Sequence, residues 1–179
     1  MLEPEWYFRL FYFPILDLII TTLLFFLIKA KRMTSEGPDK RWHFYYWFRL
    51  LLFCFILWYI PFRITIAFCL GLLMMLFGYI IFSLGYMAMR EHPEKKSAVV
   101  NWGIYKYSRN SHYIASKITT LGIIVTGWDF SSTIYILLWD LFIIDTFLSH
   151  FAIISEEKIN IEKFGNEYVE YMKKVPRYF

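Results

Sequence analysis

Residues 103–113 read Gly-Ile-Tyr-Lys-Tyr-Ser-Arg-Asn-Ser-His-Tyr, and the rest of the chain is arranged around this polar stretch. The stretch is cationic and aromatic, and strongly apolar segments lie on both sides of it. Intramembrane and juxtamembrane polar residues are expensive to place beside lipid, which makes each of them a functional candidate. Together with Glu156 and Glu157, this stretch is where we expect the chemistry.

The composition indicates a membrane protein. The 179 residues are 58% hydrophobic and 22% aromatic, whereas a soluble domain is about 45–50% apolar. The length suits one domain, so we expect a single membrane domain over residues 1–179, divided into helices in 1–96 and the candidate site in 97–179. The net charge is +4, but the basic residues alternate with long apolar runs, which argues against a nucleic-acid-binding protein.

Five apolar segments approach the length of about 20 residues that a transmembrane helix needs. They are residues 10–28, 44–60, 64–89, 113–128 and 133–154. We therefore expect an all-α integral membrane bundle of about five transmembrane helices. The short link at 61–63 predicts an antiparallel hairpin of spans two and three, and the turn at 129–132 predicts another of spans four and five.

The positive residues predict the orientation of the bundle. Segments 29–41, 90–109 and 158–177 each carry five Lys or Arg, and five spans place all three on one face. Positive loops remain cytoplasmic. We expect the N-terminus outside and the C-terminus, with the candidate site, in the cytoplasm.

The charged tail, residues 155–179, has an apolar face as well. Gly165 predicts a helix stop, and Asn166 is a candidate N-cap for a second short helix. Apolar side chains recur at steps of three and four residues, as in an amphipathic helix: Ile161, Phe164, Tyr168, Tyr171 and Met172. Such a helix lies on the cytoplasmic membrane surface or folds back over a site.

Other ionisable residues fall inside the predicted spans. Arg49 and Lys117 are close enough to the cytoplasmic face to extend their charged ends to it. Asp17, Asp140 and Asp145 lie deeper, and either a functional role or hydrogen bonding between helices explains them. Asp140 and Asp145 are five residues apart, so they do not share a helix face.

Metal and phosphate-loop chemistry is not indicated. The four histidines show no metal-ligand spacing, and the two cysteines lie within apolar runs, so we expect no metal site. No Gly-rich phosphate loop, nucleophile elbow or dinucleotide fingerprint is present.

The tight turn between spans four and five brings the start of one beside the end of the other, which predicts that Tyr113 lies near Glu156. The N-terminus of span four also offers free backbone N–H groups. A carboxylate facing it can accept hydrogen bonds from a ribose-like diol or an amine. The alternative is an interfacial ion cluster of Arg109 with Glu156 or Glu157.

A family resemblance bears on this choice. Gly103-Ile-Tyr105, Arg109-Asn-Ser-His-Tyr113 and Glu156-Glu157, followed by Phe164-Gly165 and Glu167-Tyr168-x-x-Tyr171, resemble the C-terminal signature of the isoprenylcysteine carboxyl methyltransferase and phospholipid methyltransferase family. The resemblance covers roughly residues 97–177. It implies an integral membrane enzyme that uses S-adenosylmethionine and methylates a lipophilic or small-molecule acceptor arriving from the lipid bilayer.

The resemblance also implies which residues bind the cofactor, although it leaves the catalytic residue unknown. The implied cofactor-binding residues are Ser97, Ala98, Val99, Val100, Tyr105, Arg109, Asn110, Ser111, His112, Tyr113, Glu156 and Glu157.

Three positions depart from the family pattern. Asn110 replaces the usual His and cannot carry a proton. Ser111 replaces the usual Pro, and so gives up a fixed φ. Ala152 replaces an Arg that in prenyl-cysteine methyltransferases meets the substrate carboxylate, which favours an amine or thiol acceptor. Two other functions stay open: a sterol-reductase-like membrane oxidoreductase that uses NADPH, and a non-catalytic relative.

Overall fold

A computed structural model describes residues 9–29, 40–90 and 99–178, with the side chains of the second range described from residue 47. Within these residues the regular secondary structure is helical, apart from one isolated bridge between Arg9 and Pro61, and short turns and irregular segments connect the helices. The elements are α1 (Tyr12–Ile28), α2 (Lys40–Trp58), α3 (Ile66–Arg90), a short 3-10 helix (Gly103–Lys106), α4 (Ser111–Thr126), α5 (Thr133–Phe164) and α6 (Asn166–Lys174).

The all-α class is confirmed for the described residues, and the number of spans stays a prediction. Of the helices that the structure describes, two, α3 and α5, are long and apolar enough to cross a membrane, judged by length and composition. Helix α1 and the 47–58 part of α2 are apolar but shorter. Many large apolar side chains on these helices are exposed, Phe26, Leu27 and Leu51 among them. A lipid environment accounts for such exposure better than water does.

Among the described helices, α3 and α4 pack most closely, and glycines make the close approach possible. Gly71, Gly78 and Gly85 recur every seven residues on α3, and all three face α4. A Cβ added at Gly71 would lie 2.5 Å from the carbonyl oxygen of Gly122. Small residues at such positions let two helix backbones pack directly together, as they do in membrane bundles.

Helix α2 packs against α5, and among the described residues it makes little contact with α3. The predicted hairpin of spans two and three is therefore wrong. A cluster of charged side chains explains why α2 packs against α5 instead of α3. Arg49 of α2 donates a hydrogen bond of 2.8 Å to Asp145 of α5, and Lys117 of α4 pairs with the other oxygen of the same carboxylate.

This cluster also corrects the interpretation of Arg49 and Lys117. Both cations turn inward to Asp145 instead of extending to the cytoplasmic face, because a carboxylate inside an apolar bundle needs a partner. Asp145 is buried and Asp140 is exposed, which confirms that the two do not share a face.

The apolar core lies at the end of the bundle where α1 and α5 begin. Leu10, Leu57, Ile124 and Leu138 are completely buried there. Tyr135 belongs to the same cluster, and its hydroxyl donates to the Ile124 carbonyl at 2.9 Å. This packing fixes α4 against α5 at one end, so that their other ends meet at the site.

The tail follows the predicted amphipathic pattern with one difference. Helix α5 continues past the predicted span to Phe164, and Gly165, at a φ of +57°, separates it from α6. The N-cap of α6 is Gly165, and Asn166 is its first helical residue, so the predicted Asn166 cap is wrong. The apolar face packs as one cluster with Val99: Ile161, Phe164, Tyr168, Tyr171, Met172 and Val175.

Candidate functional site

A cavity of about 580 Å³ lies where α4 begins and where α5 leaves the apolar bundle. Its volume falls in the range of about 300–1,000 Å³ that is usual for small-molecule sites. Helices α1, α3, α4, α5 and α6 and the loop before α4 all contribute to its wall. The lining residues are Thr21, Thr22, Phe25, Phe26, Tyr86, Met89, Val100, Tyr105, Arg109, Asn110, His112, Tyr113, Glu156, Ile159, Asn160, Tyr168 and Tyr171.

Glu156 is the carboxylate of this cavity. The Tyr113 hydroxyl donates a hydrogen bond of 2.6 Å to its Oε1, which confirms the expected proximity of the two residues. The bond joins the first turn of α4 to the late part of α5, and it fixes the direction in which the carboxylate points. The other oxygen of Glu156 is left to accept a hydrogen bond from whatever enters the cavity.

Glu157, the next residue, faces away from the cavity. It is 3% exposed, and its carboxylate pairs with Arg177 at 2.7 Å and with Arg109 at 3.3 Å. The expected ion cluster thus exists, but it is formed on Glu157. Successive helical residues differ by about 100° in direction, so one glutamate serves the cavity and the other the cluster.

The segment after α6 is bound to the loop before α4. The Arg109 backbone N–H donates to the Pro176 carbonyl at 3.1 Å. The Ser108 hydroxyl and the Asn110 amide both donate to the Arg177 carbonyl, at 3.2 and 3.3 Å. Asn110 therefore holds the tail over the site, a role that needs a hydrogen-bond donor and no titrating group.

His112 and Tyr105 form a buried pair in the cavity wall. The Tyr105 hydroxyl lies 2.8 Å from His112 Nδ1. Burial raises the pKa of the Tyr105 hydroxyl above its ordinary value, so it keeps its proton. The His112 ring fits against α3 because residue 85 is glycine; a Cβ there would lie 2.5 Å from His112 Cε1.

Helix α6 supplies two tyrosines that close the cavity. The Tyr171 hydroxyl donates to the Tyr105 carbonyl at 2.8 Å, which ties α6 to the 3-10 helix. The Asn160 amide makes a longer hydrogen bond, 3.4 Å, to the Tyr168 hydroxyl. The tail thus folds back over the site, one of the two arrangements that its apolar face allowed.

The predicted site residues are only partly assembled in this cavity. Val100, Tyr105, Asn110, Tyr113 and Glu156 line it, and so do Arg109 and His112. Val99 packs instead with the apolar cluster of the tail, Ser111 is fully buried beside Tyr105, and Glu157 belongs to the ion cluster. Ser97 and Ala98 lie outside the described residues.

Sequence reasoning missed the wall that the early helices provide. Phe25 and Phe26 of α1, with Tyr86 of α3, line the cavity. Tyr86 directly follows Gly85, the last glycine of the repeat on α3. The repeat therefore offered one indication that this part of α3 lies near the start of α4. Nothing in the sequence of α1 marks its two phenylalanines among many similar apolar residues.

A second cavity of about 260 Å³ lies deeper in the bundle, and Thr21 lines both cavities. Asp17, Arg49 and Asp145 lie in its wall among apolar side chains. Across the described ranges, no group of three or more His, Cys, Asp or Glu side chains is placed to hold a metal ion.

Comparison with known proteins identifies a family by sequence. No curated protein and no solved structure matches the chain. A family model described as "Protein of unknown function (DUF1295)" matches residues 7–175, which is nearly the whole chain. The protein therefore belongs to the DUF1295 family.

Proposed function

We propose that the protein is a membrane methyltransferase that takes S-adenosylmethionine into the 580 Å³ cavity at the cytoplasmic face of the bilayer. The observation that carries the proposal is the Glu156 carboxylate, held by Tyr113 inside an aromatic cavity beside the N-terminus of α4. The motif resemblance points to the same residues, and the DUF1295 match leaves the activity open.

The described side chains fit this cofactor. A single carboxylate suits the ribose hydroxyls or the ammonium group, and aromatic rings suit an adenine ring and a sulfonium cation. The cavity wall carries many such rings: Phe25, Phe26, Tyr86, Tyr105, Tyr168 and Tyr171. The N-terminus of α4, which lies beside the cavity and has no side-chain cap, carries the positive end of the helix dipole and so favours an anionic group.

When bound, S-adenosylmethionine supplies an electrophilic methyl group. The residues of this chain position the two reactants and exclude water from them. Tyr113 orients Glu156, and α6 covers the cavity through Tyr168 and Tyr171.

The charge of the cavity favours this cofactor over a nicotinamide dinucleotide. Among the described lining residues, Arg109 is the one permanent cation, and it is already close to Glu157. A diphosphate with a further phosphate group carries several negative charges, and arginine and lysine residues usually neutralise them. The Glu156 carboxylate would oppose such a ligand.

The acceptor class follows from the cations near the site. Ala152 is buried and carries no charge, and Arg49 and Lys117 both pair with Asp145 in the deeper part of the bundle. Position 152 therefore offers no cation, whereas the prenyl-cysteine methyltransferases that the chain resembles have an arginine there to meet the carboxylate of their substrate. An amine or thiol acceptor with a lipophilic body fits better, since Phe25 and Phe26 of α1 line the cavity.

The test is equilibrium binding of S-adenosylhomocysteine and of NADPH to the detergent-purified protein. The proposal predicts saturable binding of S-adenosylhomocysteine and no competition from NADPH. Binding of NADPH alone would assign the chain to the reductase alternative. Binding of neither would favour a non-catalytic relative.

A further inference from the structure

The second cavity is polar, although it lies within the helical bundle. Half of the residues that line this 260 Å³ space are polar or charged: Asp17, Thr21, Arg49, Ser116, Thr120 and Asp145. Arg49 and Asp145 are there because they bind each other. The Thr21 hydroxyl donates to the backbone carbonyl of Asp17 at 2.8 Å. The other three side chains need a different explanation, since polar groups inside a membrane bundle are costly and often mark the path of a ligand.

Helix α1 connects the second cavity with the first. Thr21 lines both cavities, Phe25 lines the first, and Pro14, Asp17 and Leu18 line the second. Steps of three or four residues place all five on one face of the helix. One face of α1 therefore forms a continuous wall that leads from the proposed cofactor cavity into the deeper one.

Helix α4 forms a second continuous wall. Tyr113 lines the first cavity, and Ser116, Thr120 and Ile123 line the second, again at steps of three and four residues. Tyr113 and Thr120 are seven residues apart, which is about 10 Å along a helix that rises 1.5 Å per residue. The polar part of the deeper cavity thus lies about 10 Å from the point where Tyr113 holds Glu156.

We propose that the deeper cavity binds a hydroxyl group of the methyl acceptor, about 10 Å from the atom that receives the methyl group. This inference rests on the proposed function and narrows its substrate class to a lipophilic amine or thiol with a distant hydroxyl. The Asp17 carboxylate accepts a hydrogen bond from that hydroxyl, and the Thr120 hydroxyl donates one to it. A plain hydrocarbon chain would leave both side chains facing apolar atoms, which costs free energy.

The charges around the deeper cavity favour a hydroxyl over an ionised group. Its wall contains the Asp17 carboxylate on α1 and the ion pair of Arg49 with Asp145. An anionic group there would lie near two carboxylates, and a cationic group would lie near the Arg49 guanidinium. A hydroxyl avoids both repulsions, and it can donate one hydrogen bond while it accepts another.

The experiment compares octylamine with its ω-hydroxy derivative. In the derivative nine bonds separate nitrogen from oxygen, and these span about 10 Å when extended, at roughly 3.5 Å for every three bonds. The reporter is Ser116→Cys in the deeper cavity, in a protein whose two native cysteines, Cys54 and Cys69, are replaced by serine. Each amine slows alkylation of this thiol by a small reagent in detergent, and the concentration that halves the rate is measured.

The preference for the hydroxylated amine is the ratio of these two concentrations within one protein. We expect it to be about 10-fold larger in the reporter protein than after Thr120→Val or Asp17→Leu is added, because each change removes a hydrogen bond to the hydroxyl. Thr146→Val, at an exposed position on α5, is the matched control and should leave the preference unchanged. Partition of the amines into detergent is the same for every variant and cancels in this comparison.

An equal preference in the reporter protein, Thr120→Val and Asp17→Leu would overturn the hydroxyl site, and so would a failure of both amines to protect the thiol. Binding of S-adenosylhomocysteine to the same reporter protein is measured separately. Where S-adenosylhomocysteine binds, either of those results rejects the hydroxyl site alone. Absence of S-adenosylhomocysteine binding would overturn the proposed function, and the acceptor assignment with it.

Discussion

At the scale of the residue, two adjacent glutamates have opposite surroundings. The Glu156 carboxylate faces the cavity and accepts one hydrogen bond from Tyr113. Glu157 is buried between Arg109 and Arg177. The resemblance implied that both glutamates bind the cofactor. The two side chains leave the helix in different directions, so Glu156 lines the cavity while Glu157 forms the ion cluster.

We predict that Glu157→Gln lowers the free energy of unfolding more than it lowers cofactor affinity. Removing one partner of a buried ion pair costs about 3–5 kcal/mol, since the Arg109 guanidinium stays buried without its anionic partner. Thermal unfolding in detergent measures the change. Glu162→Gln, at an exposed position on the same helix, is the control and should unfold as the wild type does. A Glu157 variant as stable as this control would contradict the buried cluster.

The nature of the acceptor is also decided by single residues. Since Ala152 provides no cation for a carboxylate, prenyl-cysteine analogues should be methylated slowly relative to aminophospholipids or small thiols. A methyl-transfer assay with the three acceptor classes measures this. Rapid turnover of prenyl-cysteine would show that another cation binds its carboxylate.

At the scale of the element, the sequence predicts helices better than it predicts their neighbours. Long apolar runs predicted α1 to α5, and the short turn between α4 and α5 predicted that Tyr113 meets Glu156. The pairing of α2 with α5 depends on Arg49 and Asp145, which are 96 residues apart. A contact between residues so far apart cannot be predicted from local sequence spacing. The short link at 61–63 instead favoured α3 as the partner of α2, which is wrong.

We predict that Asp145→Asn destabilises the bundle by about 3–5 kcal/mol, because Arg49 and Lys117 would lose the carboxylate that they share. Asp140→Asn is the matched control, at an exposed position of the same helix. Chemical or thermal unfolding in detergent compares the two variants. Similar stability for both would show that the cluster contributes nothing to the pairing of α2 with α5.

At the scale of the whole molecule, the site combines elements that are distant in the chain. The tail closes a cavity whose far wall comes from α1, and the loop before α4 holds both the tail and the ligand-facing side chains. The sequence motifs identified the C-terminal half of this site. The half supplied by α1 and α3 could not be predicted, because apolar residues facing a cavity and apolar residues facing lipid look alike in sequence.

The distribution of positive charge predicts a cytoplasmic C-terminus and an outside turn between α4 and α5. In a protein whose Cys54 and Cys69 are replaced by serine, Ser131→Cys should react with an impermeant thiol reagent on intact cells. Lys173→Cys, on the tail, should react only after permeabilisation. The reverse pattern would show that the orientation is inverted.

The central claim is that Glu156 binds an S-adenosyl cofactor, and the affinity of Glu156→Gln for S-adenosylhomocysteine tests it most directly. The substitution keeps the shape of the side chain and removes its charge. Losing a charged hydrogen bond weakens binding about 10- to 100-fold, whereas Glu162→Gln should bind as tightly as the wild type. Wild-type affinity in the Glu156→Gln protein would contradict the account.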